Sequence, residues 1–318
     1  RGLGLALESG RGSGAEVAAY SARYSKEMSE RQAVFLLHVS KSAGTFLCSC
    51  SRAQGCRTAN PFCKGEMLLD HAYWRLTEAN RGFVMGRNDT CEHRARRYAA
   101  QGLTFQESEN TMPSEGPCTQ FWNVVILRDP LLRLVSHMSH LLLNLHAEAG
   151  QEPSLGVPAG FQAALGPGNV TAKWLFNNLP MISDNFYIRS LLGREVYGLP
   201  LGAIGESHLE AAKRVLGAFD TLLTVGGPLG LGERVLRSLG WAACSPRKQG
   251  LTDWYLSALA ASWGPEDWAA LRARNALDLR LWEHALAQER RDRLVLQHPA
   301  FAPPRAEACG GRCGLLCK

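Results

Sequence analysis

Residues 33–39, AVFLLHV, form a continuous apolar run, and residues 122–127, WNVVIL, give a second strong strand signal. A strand with one face in water alternates apolar and polar residues. Two runs without that alternation predict strands covered on both faces, the pattern of a parallel sheet between layers of helices. Each run stops abruptly. After the first come Ser40, Lys41, Ser42, Ala43, Gly44 and Thr45, with a short helix expected from Gly44. After the second come Arg128, Asp129 and Pro130, then a helix to about Leu145; Asp129 suits the N-cap and Pro130 the first helical position, where its missing N–H costs nothing.

Elsewhere strands and helices alternate. Weaker strand signals lie at 82–86 and 103–106, and a clearer one at 221–225. Residues 147–170 read as a Gly/Pro-rich loop, and Ser183 or Asp184 as the cap of a short helix ended by Gly193. Leu209, Ala212, Val215, Leu216 and Phe219 mark one face of a helix over 206–219. The glycines of 226–235 lead into a helix, and two more helices are expected at about 253–263 and 266–290. The last carries Trp268, Leu271, Leu279, Trp282 and Leu286 as its buried stripe. The expected fold is therefore α/β: a three-layer, P-loop-like domain over residues 31–298, with a mostly parallel central sheet flanked by helices. Residues 1–30, rich in Gly, Ser, Ala and charge, read as a stem or linker, and 299–318 as a cysteine-rich tail.

Ten cysteines are many for a chain of 318 residues. Their spacings, C-x-C, C-x6-C and C-x3-C-x3-C, are not those of zinc sites, so disulfides in an oxidising compartment are expected. Two glycosylation sequons, Asn88-Asp89-Thr90 and Asn169-Val170-Thr171, agree with a secretory location. No stretch approaches the roughly 18 apolar residues of a membrane helix. The chain also lacks a signal peptide and does not begin with Met, so the expectation is a lumenal fragment whose N-terminal membrane anchor lies outside it. A net charge of +6 favours an anionic ligand or partner. The arginines are scattered rather than set in a stripe with aromatics, which argues against nucleic acid.

The two turns carry the chemistry. In open α/β sheets, ligands sit at the carboxyl ends of the strands. Small residues in the first turn let backbone N–H groups approach an anion. The helix N-terminus adds partial positive charge, Lys41 a full one, and Ser42 and Thr45 hydroxyl donors. Arg128 at the second strand end can clamp a phosphate, with Ser136 donating from the helix two turns on. This is not a Walker A loop, because the lysine precedes the glycine, and no G-x-G-x-x-G follows a strand.

At these residues the chain resembles the sulfotransferases that use 3'-phosphoadenosine 5'-phosphosulfate (PAPS), most closely the Golgi carbohydrate group that includes the heparan sulfate O-sulfotransferases. That group's first motif resembles HVPKTGGT; here it reads His38-Val39-Ser40-Lys41-Ser42-Ala43-Gly44-Thr45. The second resembles RDPxxRxxSxY; here it is Arg128-Asp129-Pro130, Arg133 and Ser136. Further echoes are Asn185 to Arg189, Phe219-Asp220, Asn275 to Asp278, and Leu281-Trp282-Glu283, so the likeness spans about residues 33–287. Ser40 for Pro, Ser42 for Thr and Ala43 for Gly are departures, all small and compatible with anion contact.

The resemblance implies that the Lys41–Thr45 turn holds the 5'-phosphosulfate of PAPS, Lys41 stabilising the oxygen left behind as sulfur departs. It implies that Arg128 and Ser136 hold the 3'-phosphate, with Arg247 and Lys248 closing over it. It also implies a carbohydrate acceptor, a Golgi-lumenal type II membrane protein in full-length form, and no metal. Family members use Glu or His as the base that takes the acceptor proton, in several cases between the two motifs. In LTFQESENTM (103–112) that makes Glu109 the first candidate and Glu107 the second. His71 and His93 also lie between the motifs, and His137 and His140, one helical turn apart, lack a third metal ligand. Arg189 and Arg194 suit an anionic glycan acceptor. Competing readings are a kinase-like phosphotransferase, a non-catalytic nucleotide- or glycan-binding module on the same fold, and a protein-tyrosine sulfotransferase. The first calls for acidic magnesium ligands at a strand end, which the sequence does not offer.

Overall fold

A computed structural model describes residues 2–61, 63–66, 90–149, 169–227, 230–241, 257–304 and 313. The strands are β1 (Ala33–Leu37), β2 (Lys64–Glu66), β3 (Phe105–Ser108), β4 (Phe121–Arg128) and β5 (Thr221–Val225). They form one sheet in the order β2-β3-β1-β4-β5, and every pairing is parallel.

The two runs have the cause the sequence suggested. On β1, Ala33, Phe35 and Leu37 join one core while Val34 and Leu36 join the other. On β4, Phe121, Val125 and Leu127 take the first face and Trp122, Val124 and Ile126 the second. The first face is covered by α4 (Cys91–Gln101), α5 (Pro130–Ala149), α8 (Phe186–Leu191), α10 (Glu206–Gly217) and the start of α13 (Ala276–Leu296). The second is covered by α3 (Gly44–Ala53), α11 (Leu231–Leu239) and the end of α2 (Gly14–Ser29). Helix, sheet and helix make the three expected layers.

Residues 1–30, read as a stem or linker, carry two helices, α1 (Gly2–Glu8) packed on α13 and α2 packed against the second face. The Tyr24 ring meets Trp122 edge-on at 4.9 Å, its hydroxyl donates to the Ser238 carbonyl, and Val17 packs with Val295, Leu296 and Phe301. The Ser13–Glu16 capping box starts α2, a local signal hidden within a polar composition. The helix expected over 266–290 is two, α12 (Pro265–Arg274) and α13, broken at Asn275. There the Asn275 amide donates to the Ser183 and Leu271 carbonyls and its oxygen accepts from Asn185 N–H. Those long-range bonds outweigh helical continuity. The strand signal at 82–86 falls outside the described residues.

Three disulfides are described: Cys48–Cys63, Cys56–Cys313 and Cys91–Cys118. The first ties α3 to the segment before β2, and the second anchors the C-terminal tail. Among the described residues, no helix is long and apolar enough to cross a membrane.

Candidate functional site

Strand order decides where a ligand can sit. From β1 the chain crosses through α3 to β2 on one side; from β4 it passes to β5 on the other. Neighbouring strands whose connections diverge leave a crevice at their carboxyl ends. Both polar turns flank it, because β1 and β4 are paired with Leu37 opposite Val125.

The first turn has the backbone of an anion cradle. Lys41 (φ 66°) and Ala43 (φ 69°) are left-handed, with Ser42 between them on the negative side. Such alternation can turn N–H groups toward one concavity, although the Ser42 N–H is taken by the Val39 carbonyl (3.1 Å). Two non-glycine residues held there cost on the order of 1 kcal/mol each, strain of the kind that collects at functional sites. Ala43 is the N-cap of α3 and supplies no side-chain cap, so the helix presents its first N–H groups without one. Ser42 is fully buried, Lys41 and Ala43 are half-buried, and Thr45 is exposed.

One phenol joins the two turns. Tyr187, fully buried on α8, donates its hydroxyl to the Arg128 carbonyl (2.7 Å) and accepts from Arg128 N–H (2.9 Å). Ser42 Oγ lies 3.2 Å from the same oxygen and, since the phenolic proton is committed, acts as donor there. Burial pushes the phenol up to about 12, so it keeps that proton at neutral pH.

The placement of Tyr187 depends on a cap supplied from another helix. Asn185, the N-cap of α8, is left-handed and makes no side-chain cap. Instead Asp278, on the first turn of α13, accepts from Tyr187 N–H (2.7 Å) and Ile188 N–H (3.0 Å), while its own N–H donates to Asn185 Oδ1. Burial raises the Asp278 carboxyl to about 7, with those N–H donors and Arg133 pulling the other way. Arg133 is itself interior. Its guanidinium lies 4.2 Å over Phe186 and donates to His137 Nδ1 and to the Ile182 carbonyl. In the second motif Arg133 therefore braces α5, while half-buried Arg128 sits at the crevice and Ser136 is buried on the next turns of α5.

The third feature is a buried acidic pair with a histidine. Glu107 lies on β3 beside Leu36, and Glu109 follows just past the strand end. They are 1% and 5% exposed, interior groups rather than loop carboxylates. His38, just past β1, places Nδ1 3.0 Å from Glu109 Oε1 and 3.3 Å from Glu107 Oε1. Its ring lies directly on Gly44, where a Cβ would fall 2.2 Å from Nε2 and Cδ2. Glycine is thus required at the start of α3 by contact with the imidazole.

Other candidates separate from the site. Arg189 is corrected: it is fully buried, paired with Asp184 and donating to the carbonyls of Tyr197 and Leu199, so it cannot meet a glycan. Arg194 and His93 are exposed. His137 is buried against Arg133, and among the described residues no cluster of His, Cys, Asp and Glu has metal-holding geometry. Arg247, Lys248 and His71 lie outside the described residues. Sequence reasoning gave no role to Tyr187, Asp278 or His38. The signals at hand were the motif echoes that include His38, Tyr187 and Asp278, which assign no role by themselves.

The chain matches no protein-family model, and no curated protein is significantly similar to it.

Proposed function

We propose that this protein is a PAPS-dependent sulfotransferase that moves a sulfuryl group to a hydroxyl of a carbohydrate acceptor, an anionic glycan, in the Golgi lumen. The observation that carries the reading is the junction at Tyr187, which fixes an anion cradle and an arginine-bearing strand end at the switch point of a parallel sheet. A nucleotide with phosphate groups at both its 5' and 3' positions needs two such anion sites at a set separation.

In this reading the N–H groups of the Lys41–Thr45 turn, with Lys41, Ser42 and Thr45, hold the 5'-phosphosulfate. Arg128 and Ser136 hold the 3'-phosphate, joined by Arg247 and Lys248. Lys41 stabilises charge on the bridging oxygen as the S–O bond breaks, and the acceptor proton leaves toward the buried cluster at the end of β3. The residues present suit the nucleotide chemically: the cradle offers backbone donors and a cation, and its helix start has no side-chain cap.

Calorimetric titration with 3'-phosphoadenosine 5'-phosphate (PAP), repeated with AMP and with Arg128→Ala, tests this. Tight binding that requires both the 3'-phosphate and Arg128 is the expected result. Equal binding of AMP, or no binding of either nucleotide, refutes the proposal.

A further inference from the structure

A second concavity involves neither polar turn. It is a groove of about 360 Å³ between α6 (Ala172–Asn178), the end of α12, the start of α13 and the loop through Gly202 and Ile204. We propose that this groove is a docking subsite for the glycan acceptor, in which the Arg274 guanidinium binds a carboxylate or sulfate group of one sugar unit. The proposal rests on the sulfotransferase reading for the identity of the acceptor and adds a place where its chain is held.

Three observations carry it. The first is charge. Two charged residues line the groove, Asp184 and Arg274. Asp184 is fully buried and already neutralised: Oδ2 accepts from Arg189 Nη2 (2.5 Å) and Gly202 N–H (3.0 Å), and Oδ1 from the Asn185 amide. Arg274 has no such counterpart. Among the described residues its guanidinium enters no hydrogen bond or ion pair, and it lies 5.4 Å from the centroid of the Phe176 ring. The groove therefore carries positive charge on a fork of N–H donors that matches a carboxylate or sulfate.

The second is placement. A long cationic side chain in water ranges over many rotamers, and this one is confined. It packs on Phe176 from α6, and Gly202 stands so close that a Cβ there would fall 2.6 Å from Nη1. Gly202 is left-handed (φ 80°) and its N–H is fixed on Asp184. The Arg274 carbonyl accepts from the Asn185 amide (2.9 Å), which fixes the end of α12 as well. The half-buried guanidinium is thus preorganised with its donors uncommitted.

The third is size and surface. About 360 Å³ is the scale of a small-molecule site, room for about one or two sugar units, and far below what a folded protein partner needs. Phe176, Ile204, Leu277 and the small Ala273 give an apolar bed for the C–H face of a pyranose ring. Helices and a loop surround it, so it offers no strand edge to which an extended peptide could add. Asn185 lines the groove and also accepts from Asp278 N–H, so a glycan held here rests on the α8–α13 junction that positions Tyr187.

Calorimetric titration with a heparin hexasaccharide, neutral maltohexaose and an oligoglutamate of matching charge tests the site without turnover. The wild-type chain should bind the hexasaccharide at least about tenfold more tightly than either control. Arg274→Ala removes the charge, and Ala273→Trp fills the groove while keeping it. Each should weaken hexasaccharide binding about tenfold or more and leave PAP affinity within about threefold. Arg272→Ala, which removes an exposed arginine two residues earlier on α12, should change neither affinity by more than about twofold. With PAPS and partly desulfated heparin, Arg274→Ala should raise the KM for glycan at unchanged kcat.

No hexasaccharide binding by the wild-type chain, binding indifferent to Arg274→Ala and Ala273→Trp, or an equal loss in Arg272→Ala overturns the subsite. Equal affinity for oligoglutamate overturns the glycan as its occupant. If PAP fails to bind while glycan binding still requires Arg274, the sulfotransferase reading falls and the groove stands as a glycan site.

Discussion

Tyr187→Phe is the most informative single change, because it removes one oxygen atom and leaves the ring. The oxygen makes two bonds to the backbone of Arg128, at 2.7 and 2.9 Å, and lies 3.2 Å from Ser42 Oγ. The phenylalanine keeps the packing of α8, including the Arg133 guanidinium 6.0 Å from the ring centroid. Leaving a buried polar group without its partner costs about 1–3 kcal/mol. Two such groups at Arg128 bound the effect at roughly 2–6 kcal/mol, and Arg128 is half-buried, so crevice water restores part of it. The expectation is therefore a loss of about 2–3 kcal/mol in urea denaturation at unchanged m-value. The same variant uncouples the cradle from the strand end, so PAP affinity should fall by at least about tenfold, or roughly 1.4 kcal/mol. Stability within about 0.5 kcal/mol of wild type together with unchanged PAP affinity would show that the phenol does not link the two turns.

Other changes probe separate parts of the same construction. Gly44→Ala drives a methyl group into the His38 ring, and should cost about 1–3 kcal/mol by overpacking and weaken PAP binding, both read on one purified variant. Asp278 titrates near 7 in the fold against 3.8 in a free chain, so the native state holds a proton that the unfolded chain has released between those values. Its contribution is complete at low pH and fades as pH rises through about 7; the melting temperature should fall from pH 5.5 to 8, and Asp278→Asn should flatten that slope. Arg189→Ala strands buried Asp184 and should destabilise by about 3–5 kcal/mol, and if the folded fraction instead loses only glycan affinity, its interior role is wrong. Replacing Cys48 and Cys63 together by alanine opens a loop with a sequence separation of 15 and should lower stability by about 3 kcal/mol, measured against wild type under non-reducing conditions.

Much of this was legible in the sequence, wherever the determinant was local or periodic. Apolar runs without alternation specified strands covered on both faces, and β1 and β4 lie where those runs fall, with β5 at the strand signal of 221–225. Asp129 and Pro130 located the start of α5, where Asp129 Oδ1 accepts from the N–H groups of Leu131 and Leu132. The small residues and lysine after β1 marked the cradle because backbone approach to an anion demands small side chains. Two glutamates in one ten-residue window could be named but not distinguished, since residue type does not reveal whether a carboxylate is exposed or buried against a histidine.

What only the tertiary structure decided are the contacts between segments far apart in the chain. Tyr187 reaches Arg128 and Ser42 across separations of 59 and 145 residues, and Asp278 caps α8 from 91 residues away. Arg189 reads as a surface cation until the fold encloses it, and α1 and α2 read as a stem until Tyr24 meets Trp122. The sequence determined which segments form strands and which strand end carries a turn of small residues with a lysine, because backbone geometry and hydrophobic periodicity act over a few residues. The tertiary structure decided which side chains meet, because close packing of distant segments sets burial, hydrogen-bond partners and charge state together.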